Sequence, residues 1–197
     1  MVIGITGGVG CGKSTVLNIL KDQYKAKVII ADELGHQALQ PGTSVYDRIK
    51  KTFGLDLVLP DGTIDRKSLA DRIYSDEGKR KQLNDIVHPY VLNQIQRMLR
   101  KWSGEPLVCL ETALLFETGC DRFCDSVWCV LADREIRIQR LIQSRGYTRK
   151  KAETIMRVQL SESEWKKRCS IYIENNGDFG KIKERLQELL GTHSFLW

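Results

Sequence analysis

A glycine-rich stretch near the start of the sequence combines residue types and spacing that suit phosphate binding. Residues 7–14 read Gly-Gly-Val-Gly-Cys-Gly-Lys-Ser and match the pattern G-x-x-x-x-G-K-[ST] in full. Glycines let the backbone wrap closely around phosphate oxygens with its amide groups pointing inward. Lys13 would place its charge on the β- and γ-phosphates, and the hydroxyl of Ser14 would bind Mg²⁺. The stretch therefore predicts a binding loop for a nucleoside triphosphate.

The elements on either side of this loop are those that such a loop requires. Val2–Thr6 is short and β-branched and predicts a strand, while Ser14–Leu20 has its apolar residues at helical spacing. The helix would add its positive N-terminal end to the site. We therefore predict that ATP is bound by the following loop residues: Gly8, Gly10, Cys11, Gly12, Lys13, Ser14 and Thr15.

Short apolar strands alternate with longer helical stretches along the rest of the chain. This alternation is typical of an α/β fold with a parallel sheet covered by helices on both faces. The predicted strands are Val2–Thr6, Lys27–Ala31, Leu107–Glu111, Val127–Leu131 and Ile171–Ile173. They predict a five-stranded P-loop-type core made of residues 1–32 and 105–197.

Residues 33–104 hold no convincing strand and predict a helical insertion on that core. We expect helices after Asp65, after Ser75 and Asp76, and from Pro89, since proline suits a first helical turn. Later in the chain, Asp133, Thr148 and Asp178 are predicted helix N-caps. The helices after Asp133 and Thr148 are expected to run to about Ser144 and Leu160.

Composition narrows the class of protein. The chain has 197 residues, of which 42% are hydrophobic and 28% charged, as in a soluble globular domain. No apolar run approaches the roughly 20 residues of a membrane span, and the N-terminus lacks the features of a signal peptide, so we expect a cytoplasmic protein that does not bind membranes. The six cysteines form no CxxC pair and are interpreted as structural thiols.

The net charge of +6 has two interpretations. A basic protein binds nucleic acid or gathers phosphates in a cleft. No basic stretch is interleaved with aromatic residues, as a base-stacking surface would require. We therefore expect no nucleic-acid partner, although a nucleotide-dependent nucleic-acid binder stays open as an alternative.

Asp32 is a candidate catalytic base. It follows the second predicted strand, at the edge of an α/β sheet where ligands gather, and it could take a proton from an attacking hydroxyl. It could equally cap the next helix. A GTP switch is disfavoured, because the nearest match to N-K-x-D, residues 175–178, lacks the lysine.

The ordered set of motifs resembles the dephospho-coenzyme A kinase family over nearly the whole chain. The loop, Ile30-Ala31-Asp32 and Pro41-Gly42 are similar to its first part, and Phe53-Gly54, Asp61-Gly62, Asp65-Arg66 and Val87-His88-Pro89 to its middle. Leu114-Leu115-Phe116-Glu117, Arg140 to Arg145, Gln159 and Ile173-Glu174-Asn175-Asn176-Gly177 are similar to its later motifs.

The resemblance implies a reaction and a set of roles. Such enzymes transfer the γ-phosphoryl group of ATP to the ribose 3′-hydroxyl of dephospho-CoA, in the presence of Mg²⁺. Asp32 matches the family's base, Asn175 a position near the adenine of ATP, and Arg66, His88 and Arg140 positions associated with the acceptor or the transferring phosphate. Residues 33–104 would then bind the acceptor, and about 140–160 would form a lid.

Three positions depart from the family pattern. The role of His88, the identity of the acceptor and the oligomeric state stay open. Ile30 replaces the first acid of Asp-Ala-Asp, Ala113 replaces a proline, and Ser170 replaces an aspartate. From the residues alone, His88 could simply end a helix before Pro89. The acceptor could be a nucleoside, a nucleotide or a small alcohol, and the protein could be a monomer or a small homo-oligomer.

Overall fold

A five-stranded parallel sheet lies at the centre of the larger of two structural units. The computed structural model describes residues 1–74 and 76–191. The strands are β1 (Val2–Thr6), β2 (Lys27–Ile30), β3 (Val108–Glu111), β4 (Ser126–Leu131) and β5 (Ile171–Glu174), in the spatial order β2-β3-β1-β4-β5. The predicted α/β fold with five parallel strands is confirmed.

Helices account for most of the remaining chain. They are α1 (Lys13–Tyr24), α2 (Ala31–Ala38), α3 (Ser44–Phe53), α4 (Arg66–Tyr74), α5 (Glu77–Lys101), α6 (Arg134–Arg145), α7 (Arg149–Arg157), α8 (Glu162–Arg168) and α9 (Phe179–Gly191). Two short 3-10 helices occupy Leu55–Leu57 and Cys120–Phe123. Within the described residues, no helix combines the length and the apolar character needed to cross a bilayer.

The core of the larger unit, Met1–Ile29 with the chain from Trp102 onward, is built around β1. Ile3 in β1 pairs with Cys109 on one side and Ser126 on the other, so β1 is hydrogen-bonded along both edges. Buried residues of α1 and α9 pack into the same apolar cluster as the strands, among them Val16, Leu20, Ile182 and Leu186. A parallel sheet of this kind reads as a near-continuous apolar pattern in sequence, which is why the strands could be predicted.

The smaller unit, Ile30–Lys101, is helical and has its own core. The long helix α5 packs against α2, α3 and α4. Their apolar faces meet in a separate cluster that includes Ala38, Ile49, Leu57, Leu69 and Ile86. Apart from Ile30, the last residue of β2, the β-structure in the described part of this unit is a single pair of bridged residues, Val58 and Ile64.

The predicted helix start at Pro89 is wrong. Helix α5 runs without interruption from Glu77 to Lys101, with Pro89 inside it, so the interpretation of His88 as a helix end is wrong as well. An internal proline removes one backbone hydrogen bond and crowds the preceding turn. Here the packing of α5 against three neighbouring helices outweighs that local cost. The helix starts predicted after Asp65 and after Ser75 and Asp76 are confirmed, since α4 begins at Arg66 and α5 at Glu77.

Of the three predicted N-caps in the C-terminal half, two accept a capping hydrogen bond and one does not. The Thr148 hydroxyl accepts a hydrogen bond from the Lys151 amide, and Asp178 accepts one from the Lys181 amide, as N-caps do. Asp133 occupies the N-cap position of α6, but its side chain makes no capping hydrogen bond. The helix after Thr148 ends at Arg157 rather than near Leu160.

Helix α8 was not predicted from the sequence. It begins at a reciprocal capping box in which the Ser161 hydroxyl and the Glu164 carboxylate each accept a hydrogen bond from the other residue's amide. Trp165 is its buried residue. With only seven residues, the helix is too short to give a clear apolar period.

Candidate active site

The predicted phosphate loop joins the end of β1 to the start of α1. Gly12 is the N-cap of α1 and adopts a left-handed conformation with φ of 84°. Gly7 has φ of 141°, and a Cβ added there would collide with the carbonyl oxygen of Val130. A Cβ added at Gly12 would collide with the side-chain amide of Asn175. The path of the loop therefore requires glycine at both positions.

Lys13 lies at the end of this loop, largely withdrawn from solvent. Its Nζ donates to the carbonyl oxygen of Gly7 at 3.1 Å and lies 3.5 Å from Oε1 of Glu111. The side chains of Lys13 and Glu111 are only 15% and 11% exposed. Charges in such a setting interact more strongly than they do in water. Ser14, the next residue, is exposed in the first turn of α1.

Arg140 and Asn175 hold the outer side of the loop. The Arg140 guanidinium donates to the carbonyl oxygens of Gly10 and Cys11 at 3.4 and 3.3 Å, and to Oδ1 of Asn175 at 3.1 Å. The Asn175 amide donates to the carbonyl oxygens of Cys11 and Gly12 at 3.0 and 3.3 Å. A trans peptide plane directs its C=O and N–H groups to opposite sides. Anchoring these carbonyls thus leaves the amides of Gly12 and Lys13 directed the other way, where they suit an anion.

A second arginine, which the sequence analysis did not single out, lies against the tip of the loop. Arg137 Nε donates to the carbonyl oxygen of Val9 at 2.9 Å, and its terminal nitrogen donates to Oε1 of Gln159 at 3.2 Å. The same Gln159 oxygen accepts from the amide of Val9 at 2.9 Å. Burial lowers the pKa of the Arg137 guanidinium. Because the ordinary pKa of arginine is very high, the side chain stays charged. Both polar groups of Val9 are therefore held from outside the loop.

Two signals in the sequence could have identified the missed residues. Arg137 and Arg140 are three residues apart on α6, a spacing that puts both on one helix face. Glu111 is the last residue of β3, and the carboxyl ends of parallel strands share one edge of a sheet. Glu111 as a whole residue is 8% exposed, which is unusual for an acidic residue without a function or a partner.

The cysteines near the loop are buried thiols. Burial raises the pKa of the Cys11 thiol, against the opposing effect of the Lys13 charge. The interaction between Cys129 in β4 and Cys169 after α8 raises the pKa of Cys129 and lowers that of Cys169. All six cysteines are free, and no group of three metal-ligating side chains occurs in the described residues. Neutral, packed thiols fit the interpretation of these cysteines as structural.

The other predicted site residues lie in the helical unit. Asp32 is exposed and is the second residue of α2, whose N-cap is Ile30, so its interpretation as an N-cap is wrong. Arg66 is exposed at the start of α4 and donates to Nε2 of His36 at 2.6 Å. His88 is half-buried in the middle of α5.

The departures from the family pattern have local consequences. The hydroxyl of Thr112 accepts a hydrogen bond from the amide of Leu114, which fixes the turn around Ala113 that a proline would otherwise stiffen. Ser170 is held by its backbone, since its amide donates to the carbonyl oxygen of Val127 at 2.9 Å. Ile30 is the last residue of β2.

Comparison with known proteins identifies the family. The sequence profile of dephospho-CoA kinase matches residues 1–181. A dephospho-CoA kinase of Geobacter sulfurreducens is 38% identical over 190 residues, which cover 95% of this chain and 96% of that protein. A dephospho-CoA kinase of Symbiobacterium thermophilum is 37% identical over 188 residues, or 94% of this chain and 78% of that protein.

Solved structures agree in fold. The Thermus thermophilus protein TT1252 superposes with a TM-score of 0.85 at 32% identity, covering 98% of this chain and 97% of that one. A dephospho-CoA kinase from Campylobacter jejuni superposes with a TM-score of 0.73 at 24% identity, covering 98% of both chains, and supports the fold alone. The chain has a complete phosphate loop, the family profile matches residues 1–181, and both relatives align with more than nine-tenths of the chain. This chain therefore belongs to the dephospho-CoA kinase family.

Proposed function

We propose that the chain transfers the γ-phosphoryl group of ATP to the ribose 3′-hydroxyl of dephospho-CoA and so forms coenzyme A. The observation that carries the proposal is the complete phosphate loop, with Lys13 held between the Gly7 carbonyl and the Glu111 carboxylate. It occurs in a chain that the family profile matches over residues 1–181. Phosphoryl transfer depends mainly on positioning and on stabilising charge, and the loop supplies both.

Each candidate residue has a distinct role in this proposal. Asp32 accepts the proton of the 3′-hydroxyl as that oxygen forms its bond to the γ-phosphorus. The bond from the γ-phosphorus to the bridging oxygen breaks, and ADP leaves with its electron pair. Lys13 balances the charge that develops on the phosphate oxygens, and Arg140, which donates to the Gly10 and Cys11 carbonyls from the outer side of the loop, adds a second positive group near the site.

Residues of the loop region also fit Mg²⁺, which the reaction of the family implies. Magnesium prefers oxygen ligands and is usually held by one or two protein groups together with substrate phosphates. Ser14 offers an exposed hydroxyl at the start of α1, and Glu111 offers a carboxylate next to Lys13. When bound, the ion would neutralise charge on the β- and γ-phosphates.

ATP binding is proposed to depend on Asn175 through the shape of the loop. The side chain is 3% exposed, and its amide is engaged with two loop carbonyls and with Arg140. We assign ATP binding to Asn175 together with the loop residues Gly8, Gly10, Cys11, Gly12, Lys13, Ser14 and Thr15. The glycines provide room for the phosphates, and the first turn of α1 provides the amides.

The acceptor is proposed to bind to residues of the helical region 33–104, and the segment of about 140–160 is proposed to act as a lid. The exposed guanidinium of Arg66 and the half-buried ring of His88 supply the polar groups for the acceptor. In the lid segment, Gly146 ends α6 with a positive φ of 62°. An ion-pair cluster of Arg134, Glu135, Arg149 and Glu153 then fastens α7 to α6.

An acceptor panel tests this function. Purified protein with MgATP is given dephospho-CoA, nucleosides, nucleotides and shikimate in parallel, and the phosphorylated products are identified by mass and by phosphorus NMR. We expect phosphate on the 3′-hydroxyl of dephospho-CoA and little transfer to the other acceptors. Faster phosphorylation of a nucleoside or a small alcohol would contradict the proposal.

A further inference from the structure

Positions 8 and 10 of the phosphate loop are glycines for a reason that the phosphate-binding pattern does not supply. The pattern G-x-x-x-x-G-K-[ST] leaves both positions open. A Cβ added at Gly8 would displace the guanidinium of Arg137, and one added at Gly10 would lie 2.8 Å from the backbone carbonyl oxygen of Arg137. The loop therefore lies closely against one residue of α6, and the two glycines make this approach possible.

The side chain of Arg137 fixes the direction of one peptide group in the loop. Its Nε donates to the carbonyl oxygen of Val9 at 2.9 Å. That carbonyl shares a peptide plane with the amide of Gly10, and a trans peptide directs the two groups to opposite sides. The Gly10 amide therefore points away from Arg137 and toward the phosphate side of the loop, where it suits an anionic oxygen.

Gln159 holds both Arg137 and the preceding peptide group. Its Oε1 accepts from the amide of Val9 at 2.9 Å and from the terminal nitrogen of Arg137 at 3.2 Å. Both neighbours are donors, so only the oxygen of this side-chain amide can serve them together. The carbonyl oxygen of Gly8, on the other side of the same peptide, accepts from the amide of Cys11 at 3.3 Å. Both peptide groups that flank Val9 are thus fixed in direction.

The side chain of Val9 attaches the same point of the loop to the proposed lid segment. It packs against the apolar cluster formed by Ile138 and Leu141 of α6 and Ala152 of α7. Gln159 lies at the end of that segment, two residues after α7. The tip of the loop is therefore joined to the segment by an apolar contact and by hydrogen bonds at both polar groups of Val9.

Arg137 also brings a positive charge that no acidic side chain balances directly. In the part of the chain that the structure describes, no ion pair joins its guanidinium to a carboxylate. A half-buried charge without such a partner is destabilising on its own. Its donors are used instead on a carbonyl oxygen and on an amide oxygen. A charge placed in this way stabilises an anion bound in the loop.

We propose that Arg137 is a positioning residue for phosphoryl transfer: together with Gln159 it directs the Gly10 amide at the phosphates of the bound nucleotide and ties that amide to the proposed lid segment. The inference rests on the proposed function only for the presence of a nucleotide in the loop. Arg137 acts through the backbone and needs no contact with the substrate. In this it differs from Lys13, whose charge acts on the phosphate oxygens themselves.

Binding of MgADP to the full chain, followed by isothermal titration calorimetry, tests the inference without an acceptor. Arg137→Ala should weaken binding by about 10-fold, because a charged hydrogen bond that shapes the loop is lost. Arg137→Lys keeps the charge but lacks the planar fork that spans Val9 and Gln159, so it should still bind at least about 3-fold more weakly than the unchanged protein. Arg185→Ala, an exposed arginine of α9, is the matched control and should bind normally. Normal affinity in Arg137→Lys would overturn the inference, since the charge alone would then suffice.

NMR of the same proteins labelled with ¹⁵N reports on the Gly10 amide directly. Saturating ADP should shift the Gly10 amide signal in the unchanged protein and should shift it less in Arg137→Ala. The amide of Ile182, buried in α9, should keep its chemical shift in every variant, which separates a local change in the loop from a folding defect. An ADP-induced Gly10 shift of the same size in Arg137→Ala would refute the role of Arg137 in directing this amide.

A double-mutant cycle tests Gln159 as the partner of Arg137. Gln159→Leu removes the oxygen that Val9 and Arg137 share and should weaken ADP binding by about 3-fold or more. Because the two residues act as a unit, the loss caused by Arg137→Ala should be smaller when Gln159 is already leucine. Additive losses would show that the residues act independently and would contradict the pairing. All these outcomes hold even if the chain phosphorylates an acceptor other than dephospho-CoA, since none of the measurements uses an acceptor.

Discussion

Lys13 is held in place by groups of the protein itself. One hydrogen bond to Gly7 and a close approach to Glu111 fix its ammonium group at the mouth of the loop. A flexible lysine that is pre-positioned in this way loses less freedom when it binds phosphate. We therefore expect its contribution to the reaction to be electrostatic and separable from the packing of the core.

Replacing Lys13 should remove activity and keep the fold. We expect Lys13→Ala to lower turnover by at least about 10²-fold, because a charge opposite the developing negative charge is lost. ATP consumption and circular dichroism are measured on the same preparation, with Lys21→Ala, an exposed lysine of α1, as the control. Near-normal turnover in Lys13→Ala would refute the assignment of the loop.

Asp32 is the proposed base for the acceptor hydroxyl. Asp32→Asn keeps the size of the side chain and removes its negative charge, so the variant should fold and bind ATP. A positioned base contributes about 10²–10⁴-fold, and phosphorylation of dephospho-CoA should fall by at least about 10². Product formation and ATP binding are measured separately, with Glu33→Gln, the exposed neighbouring acid, as the control. If Asp32→Asn retains most of its activity, another group takes the proton.

Arg140 should act mainly on the rate of the chemical step. We expect Arg140→Ala to lower kcat more than it raises the KM for ATP, with a loss of up to roughly 10³-fold, because the guanidinium acts on charge in the transition state. Arg140→Lys keeps the charge but loses the planar fork that holds two loop carbonyls. It should recover part of kcat. An unchanged kcat with a raised KM in Arg140→Ala would make this residue a ground-state binder.

The site was only partly predictable from individual residues. The loop could be identified because its motif is contiguous and each position has a chemical reason. Arg137, Glu111 and their contacts were not identified, since they join residues 128 and 98 positions apart and depend on strand order. Spacing along one helix does little to distinguish such residues from the other charged residues on the surface.

At the scale of elements, the sheet was more predictable than the helices. Each strand is a short apolar run between turn signals. Both ends of all five strands were predicted to within one residue. The predicted helix boundaries were wrong where a local rule competes with packing, as at Pro89 in α5. A helix was missed where it is short, as in the seven-residue α8. Tertiary contacts decide such cases and leave little trace in local sequence.

The internal proline of α5 makes a prediction about stability. We expect Pro89→Ala to raise the free energy of unfolding by about 1–2 kcal/mol, because alanine restores a backbone donor and has a far better helix propensity. The gain is reduced by the extra freedom of the unfolded chain without proline. Urea unfolding followed by circular dichroism measures the difference, with Gln96→Ala in the same helix as a propensity control. A destabilised Pro89→Ala variant would show that the backbone around Pro89 is shaped for the ring.

At the scale of the whole molecule, the net charge is +6, and many of the charged side chains form local ion pairs. Lysines and arginines pair with acids along α3, α8 and α9 and between α6 and α7. Exposed pairs of this kind contribute little to stability and leave a weak overall field.

Nucleic acid should therefore bind weakly and without effect on turnover. Affinity for duplex and single-stranded DNA is measured at two salt concentrations, with and without ATP, by fluorescence anisotropy. A genuine nucleic-acid site would bind tightly, with an affinity that falls steeply as salt rises. Sub-micromolar, salt-sensitive binding that changes ATP hydrolysis would favour a nucleotide-dependent nucleic-acid binder instead of a small-molecule kinase.

The strand order has a consequence for synthesis on the ribosome. β1 leaves the exit tunnel first, yet both of its hydrogen-bonded neighbours, β3 and β4, come after Val108. The whole helical unit, Ile30–Lys101, emerges in between and has its own apolar core. The nascent chain must therefore keep β1 and the phosphate loop unpaired while the insertion is translated. We expect nucleotide binding to begin only once the second half of the chain has been released to complete the sheet.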